Sequence, residues 1–195
     1  MTRREAIAAA SLLLLSASGP AAAAPMQPPG LRGCAIRVHT SCPRANLENA
    51  QLPRAFLDRS DFSGANFKGA NLSDASLKGA YLDGADMQRA VLVRTSLQGA
   101  KMTSARLQGA NLQRAQLLDA NLAKAIMTSA NLQSANLIGA NLTSANLSGA
   151  NLFGVELKGA KLTFADLRAA TWIDGTICQE GSIGECRKPP PRKKK

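Results

Sequence analysis

From Ala45 to Asp174 the chain keeps a five-residue beat without a slip: Ala, a polar residue that is often Asn, an apolar residue, then two variable positions. The apolar centre falls on Leu47, Leu52, Leu57, Phe62, Phe67 and every fifth residue thereafter to Trp172, which makes 26 pentads over 130 of the 195 residues. Ala stands two positions before each centre except at Ser60, Thr95 and Val155, and every Gly of the span, such as Gly64, Gly84 and Gly154, stands two positions after one. A repeat this strict leaves few positions free for a catalytic constellation.

Composition rich in Ala and Leu suggests helix, but the period excludes it. At about 100° per residue, Ala and the Leu two places on would point to nearly opposite faces, and successive Leu would sit about 140° apart, so no buried stripe forms. In extended backbone, residues two apart share a face, and Ala and Leu point inward together. Five is odd, so an unbroken strand would throw the next Leu outward. The chain therefore turns once per pentad, with Gly where a positive φ is tolerated, and a chain that turns every five residues with the same pair inward winds into a solenoid.

The unit Ala130-Asn131-Leu132-Gln133-Ser134, followed by four more Ala-Asn-Leu units, resembles the pentapeptide-repeat family. The resemblance covers two-thirds of the chain and implies an all-β architecture: a right-handed quadrilateral β-helix with four pentads per coil, hence about six and a half coils. At strand spacing that is a rod roughly 31 Å long, with stacked Leu and Ala inside and no room for a buried substrate pocket. Four pentads per coil would stack Arg54, Asp74, Arg94 and Arg114 in one column and Asp61, Tyr81, Lys101, Asn121, Asn141 and Lys161 in another. Arg89, Arg94, Lys101, Arg106, Arg114 and Lys124 outnumber the single acid Asp119 in their stretch, yet the coil scatters them around the rod as a solvated surface. No charge occurs from Ala125 to Val155, where Ile126, Ile138 and Phe153 fall on three different sides as isolated surface apolars.

Four segments follow: a signal peptide over 1–23, an N-terminal flank with a Cys pair over 24–44, the solenoid over 45–174, and a C-terminal flank with a second Cys pair and a basic tail over 175–195. Arg3 and Arg4 precede an apolar run from Ala6 to Leu15, then Gly19-Pro20 and an Ala-rich stretch, the order of a secretory signal. The run is too short to anchor in a bilayer. Cleavage after Ala23, with Ala21 as the second small residue, puts the mature protein in the periplasm or outside the cell. General secretion is favoured over the twin-arginine route, because Ala6-Ile7 replaces the bulkier pair expected after Arg3-Arg4. Leu31-Arg32-Gly33-Cys34 is rejected as a lipoprotein box, since it lies far beyond the apolar run.

Cys34 and Cys42 precede the first pentad and Cys178 and Cys186 follow the last, with identical spacing. A disulfide spans only about 5.5 Å between Cα atoms, so pairing across the rod is excluded and the local pairs Cys34 with Cys42 and Cys178 with Cys186 are the consistent choice. In the metal alternative His39 with Cys42 offers two ligands, whereas a zinc site wants four. His39 is the only histidine and reads as a surface residue, Asp58 and Asp61 belong to different sides of the coil, and no phosphate-binding Gly motif exists. The sequence reads as that of a non-enzyme without cofactor or metal.

The net charge of +11 is concentrated outside the repeat, which holds 13 basic and 10 acidic residues and is itself only +3. Arg187, Lys188, Arg192, Lys193, Lys194 and Lys195, interrupted by Pro189-Pro190-Pro191, form a basic tail able to hold an anionic envelope component, including lipid head groups in a peripheral membrane contact. Nucleic acid is disfavoured, because no aromatic stacking platform accompanies the charge. Some members of the family resemble a DNA duplex through acidic faces and bind DNA gyrase in the cytoplasm; a slightly basic rod behind an export signal opposes that role. The reading is an exported interaction scaffold of the cell envelope with an unknown protein partner, the alternative a structural protein held at a surface by its tail.

Overall fold

The computed structural model describes Cys34 and residues 37–189, so the signal-peptide reading and Arg192 to Lys195 lie outside the described residues. From Ser41 onward, residues at the Asn position pair in parallel with the residue 20 further on: Ser41 with Asp61, Asn46 with Asn66, and so on to Asn151 with Thr171. Twenty residues are four pentads, so each pentad stacks on the fourth one after it. The expectation of strands takes a reduced form, since the pairing consists of isolated single-residue bridges. A chain that turns every five residues keeps only about one residue per side in extended register, too few for a ladder.

The pentad closes its backbone hydrogen bonds almost completely, which explains its residue types. Taking the pentad centred on Leu112, Ala110 N–H donates to the preceding centre Leu107, Asn111 N–H to Ala90 one coil back, Leu112 N–H to Asn131 one coil on, and Arg114 N–H to Gln133 one coil on. The fifth donor, Gln113 N–H, has no backbone partner and donates to Asn111 Oδ1 at 3.2 Å. The same side-chain bond recurs at Asp61, Asn66, Asn71, Asn136, Asn141, Asn146 and Asn151, each accepting from the N–H two residues on. Asn and Asp are the residues whose short side chains make that turn. The beat prefers Asn because the turn leaves one donor for it.

The position two after each centre is left-handed throughout, from Asn49 to Ala169, at φ between 54° and 72°. Gly takes ten of these positions without strain; Arg, Ser and Asp take others at a cost of roughly 1 kcal/mol each.

The interior is a continuous stack of buried side chains. Every centre from Leu57 to Leu147 has no exposed surface, and Phe62 and Phe67 meet edge to face with centroids 5.2 Å apart. Two of the three departures from Ala carry hydroxyls into this core, and both are satisfied. Thr95 Oγ1 donates to Leu72 O at 2.7 Å, and Ser60 Oγ donates to Arg37 O at 3.1 Å while accepting from Thr40 N–H.

Both ends differ from the plain repeat. Thr40-Ser41-Cys42-Pro43-Arg44 already follows its geometry: Cys42 N–H donates to Asp61 O, Arg44 N–H to Ser63 O, and Arg44 has φ 57°. Cys42 thus occupies a centre, one pentad before the repeat is legible. At the far end the chain reverses after Asp174, and residues 176–184 run antiparallel over the last coil. Thr171 pairs with Ile177 and Asp166 with Ile183, while Leu167 N–H donates to Ser182 O and Ala169 N–H to Cys178 O. This cap covers backbone that would otherwise be an open edge.

Candidate functional site

With the interior spent on packing, function falls to the outward positions and the ends. The 20-residue register assembles both columns anticipated from the pentad count. Asp61, Tyr81, Lys101, Asn121, Asn141 and Lys161 are bridged in series, and the Lys101 ammonium lies 4.5 Å from the centre of the Tyr81 ring, a cation–π contact. In the other column Asp74 accepts from Arg94 one coil on, and that hydrogen bond holds its carboxyl below the ordinary carboxylate range. Beside it an open recess of about 300 Å³ is lined by Val93, Arg94, Gln113, Arg114, Gln133 and Ser134.

Asp58, Asp61, Asp166 and Asp174 are engaged by neighbouring donors. Asp58 Oδ1 accepts from Ser76 Oγ and from Lys78 N–H, which docks one coil on the next, whereas Asp61 Oδ1 accepts from Ser63 N–H within its own turn. Asp166 is lowered by its hydrogen bond from Arg168, and Asp174 by Lys188 and Thr176. His39 is exposed, with φ 56° and its N–H donated to Asp58 O, in a turn position of the coil. Among the outward apolars of the uncharged stretch, Ile126 and Phe153 are exposed and Ile138 is half-buried.

The cysteines come together as two local pairs. Cys34 and Cys42 lie at disulfide distance with Cα atoms 5.5 Å apart, and Cys178 and Cys186 likewise at 5.0 Å. Cys34, Cys42 and Cys178 are buried against the ends of the core. Of the basic tail, Arg187 and Lys188 fall within the described residues. Neither is free chain: the Arg187 carbonyl accepts from Gln179 N–H, and the Lys188 ammonium pairs with Asp174.

The last coil carries a feature that the sequence did not disclose. Leu157 and Leu162 are half-buried where the centres before them are buried, and neighbouring Phe164 is 71% exposed. The cap pairs with the sides formed by 165–174, and Gly184 at its end lies beside Leu162 O and Phe164 N, so that 155–162 is left without a pairing segment.

A coil of stacked five-residue turns with a closed apolar interior defines a β-helical solenoid. A profile of the pentapeptide repeats matches eight copies across residues 40–79, 70–109, 100–137 and 135–171, and the chain belongs to the pentapeptide-repeat family. Among solved structures it is similar to HetL, a pentapeptide repeat protein involved in heterocyst differentiation regulation in the cyanobacterium Nostoc sp. strain PCC 7120. The two share 33% identity over 71% of this chain and 77% of HetL, with a TM-score of 0.52. Trypsin-treated QnrB1, a plasmid-mediated fluoroquinolone resistance protein, is similar in fold at 19% identity, over 71% of this chain and 80% of QnrB1, with a TM-score of 0.51. These relatives make the solenoid a right-handed β-helix. No curated protein matches the chain.

Proposed function

We propose that this protein is an exported, non-enzymatic interaction scaffold of the cell envelope, built as a four-sided rod of about six and a half coils and stapled at both ends by disulfides. The observation that carries the reading is the closed interior: every centre from Leu57 to Leu147 is without exposed surface, so a partner meets the outward columns or the ends. Family membership supports it, since pentapeptide-repeat proteins are generally structural or interaction proteins. Export is supported by the Arg3-Arg4 and Ala6 to Leu15 pattern and by two cysteine pairs at disulfide distance, a chemistry that persists in oxidising compartments. A slightly basic rod argues against a gyrase-binding DNA mimic. Capture of a specific protein from periplasmic extract by the mature chain tests the scaffold; reproducible absence of any retained protein would sink it.

The second reading, attachment to an anionic surface through the tail, gains a sharper form. Lys188 already neutralises Asp174 and Arg187 is tied into the cap, so attachment would fall to Arg192, Lys193, Lys194 and Lys195. Removing 190–195 keeps every described residue of the cap. Unchanged retention on anionic membranes or wall after that deletion rules the tail out.

A further inference from the structure

Twenty-three of the 26 centres are buried, and the three that are not, Leu157, Leu162 and Trp172, belong to the last coil. Elsewhere along the rod the centre N–H and the second turn N–H donate to carbonyls one coil on. In the two sides without cap pairing, 155–159 and 160–164, these donors are the N–H groups of Leu157, Gly159, Leu162 and Phe164, and among the described residues none has an acceptor, with Phe164 N lying beside Gly184 of the cap. The carbonyls of Val155 and Ala160 likewise receive no donor there. Clear of Gly184, the edge therefore offers three donors and two acceptors over an opened strip of core, with exposed Lys158 and Lys161 against the one carboxylate Glu156 on the edge itself and with Glu185 of the cap at its end.

We infer that this edge takes an extended acidic segment of a partner protein, added to the last coil as the cap is added to the other two sides. Main-chain pairing would supply affinity, and Leu157, Leu162 and Phe164 would receive apolar side chains. The donor excess and the two lysines select carbonyl and carboxylate oxygens. Other occupants fit less well. A second copy joined edge to edge would set donor-rich backbone against donor-rich backbone and bring four lysines together. One stacked end-on would meet the cap, which stands a chain layer above this edge on two of four sides. The chain's own tail, Pro190-Pro191-Arg192-Lys193-Lys194-Lys195, repeats the charge of the edge, and its prolines carry no N–H.

The inference rests on the scaffold reading and names where that scaffold binds. The test titrates full-length mature protein with a ten-residue peptide of alternating Val and Asp around a central Gly, and with its Val/Lys counterpart, while following backbone amide exchange. The Val/Asp peptide is expected to protect the Leu157, Gly159 and Leu162 amides and to bind about tenfold tighter than the Val/Lys peptide, a preference that Lys158→Glu with Lys161→Glu reverses. Phe164→Ser, an exposed change that leaves the core intact, weakens binding of both peptides. Protection elsewhere, no charge preference, or a dimer closed through this edge overturns the proposal. A periplasmic partner retained equally by wild type and the double lysine variant also overturns it while leaving the scaffold reading intact.

Discussion

The Arg94 guanidinium forks onto the carboxylate of Asp74, one coil before it, with Nε 2.6 Å from Oδ1 and Nη2 2.8 Å from Oδ2. The residues are 20 apart in sequence and adjacent on the rod because four pentads bring the chain back over itself. Such pairs report on the winding register from the surface.

That relationship predicts an acid titration. Asp74 is held below the ordinary carboxylate range first by its hydrogen bond from Arg94. A depressed folded pKa means the pair's contribution is complete above the unfolded value of about 3.9 and is lost as pH falls through the lower folded value. Carboxyl-carbon NMR should show Asp74, Asp166 and Asp174 all titrating below that value. Arg94→Gln should return Asp74 alone to the ordinary range.

The turn acceptor is the second target. Asn136 Oδ1 receives Ile138 N–H at 3.0 Å, the one backbone donor of its pentad without a backbone partner. Asn136→Ala should lower unfolding stability by about 1 kcal/mol in urea, whereas Asn136→Asp, which keeps the acceptor, should cost much less. Equal losses would show that the side chain serves another purpose.

Backbone handedness can be separated from crowding by two glycines. Gly84 has φ 65° and open space where a Cβ would stand, so Gly84→Ala should cost about 1 kcal/mol from the left-handed backbone alone. At Gly139, φ 69°, a Cβ would strike Asp119 Oδ1, and Gly139→Ala should cost more. Gly139→Ala combined with Asp119→Ser should fall back to the Gly84 value.

Core position decides the cost of shortening a leucine. Leu112 has no exposed surface, and Leu112→Ala should destabilise by about 3 kcal/mol through lost burial and a cavity. Leu162, half-buried at the bare edge, should cost less than half as much when changed to Ala. Denaturant midpoints of the two variants test the contrast.

In the proposed disulfide form, Cys178–Cys186 staples the cap. Replacing Cys178 and Cys186 with Ser frees a loop whose closure contributes on the order of 2.5 kcal/mol. Amide exchange at Leu167, Ala169 and Trp172, which donate to cap carbonyls, should accelerate before that at Leu112. The mature wild type should show no reactive thiol without reductant; four would remove both disulfides.

The repeat was legible because a five-residue period has one economical geometry: Ala and Leu inward, a turn at every step, and winding to bury the same pair. Stacking of Asp74 with Arg94 and of Tyr81 with Lys101 followed once four pentads per coil were assumed from the family resemblance. The start of the coil was not legible, because Cys42 and Pro43 stand where Leu and a polar turn residue would be; the small residue and polar residue of Thr40-Ser41, five before Ala45-Asn46, were the only signal. The reason for Asn was also hidden, since a turn's unpaired donor shows only when every other bond is counted.

By itself the sequence determined the inward columns, the turn at every fifth residue and the local pairing of cysteines, all consequences of spacing along one chain. Tertiary structure alone decided where the rod closes and where it stays open. Residues 175–186 carry no period, and only their return over Asp166 and Thr171 shows that two sides of the last coil are paired while Leu157 and Leu162 stay half-buried and Phe164 is exposed. A repeat specifies contact with its own next copy, and at the last copy that specification ends; what covers the edge depends on chain folded back from beyond the repeat.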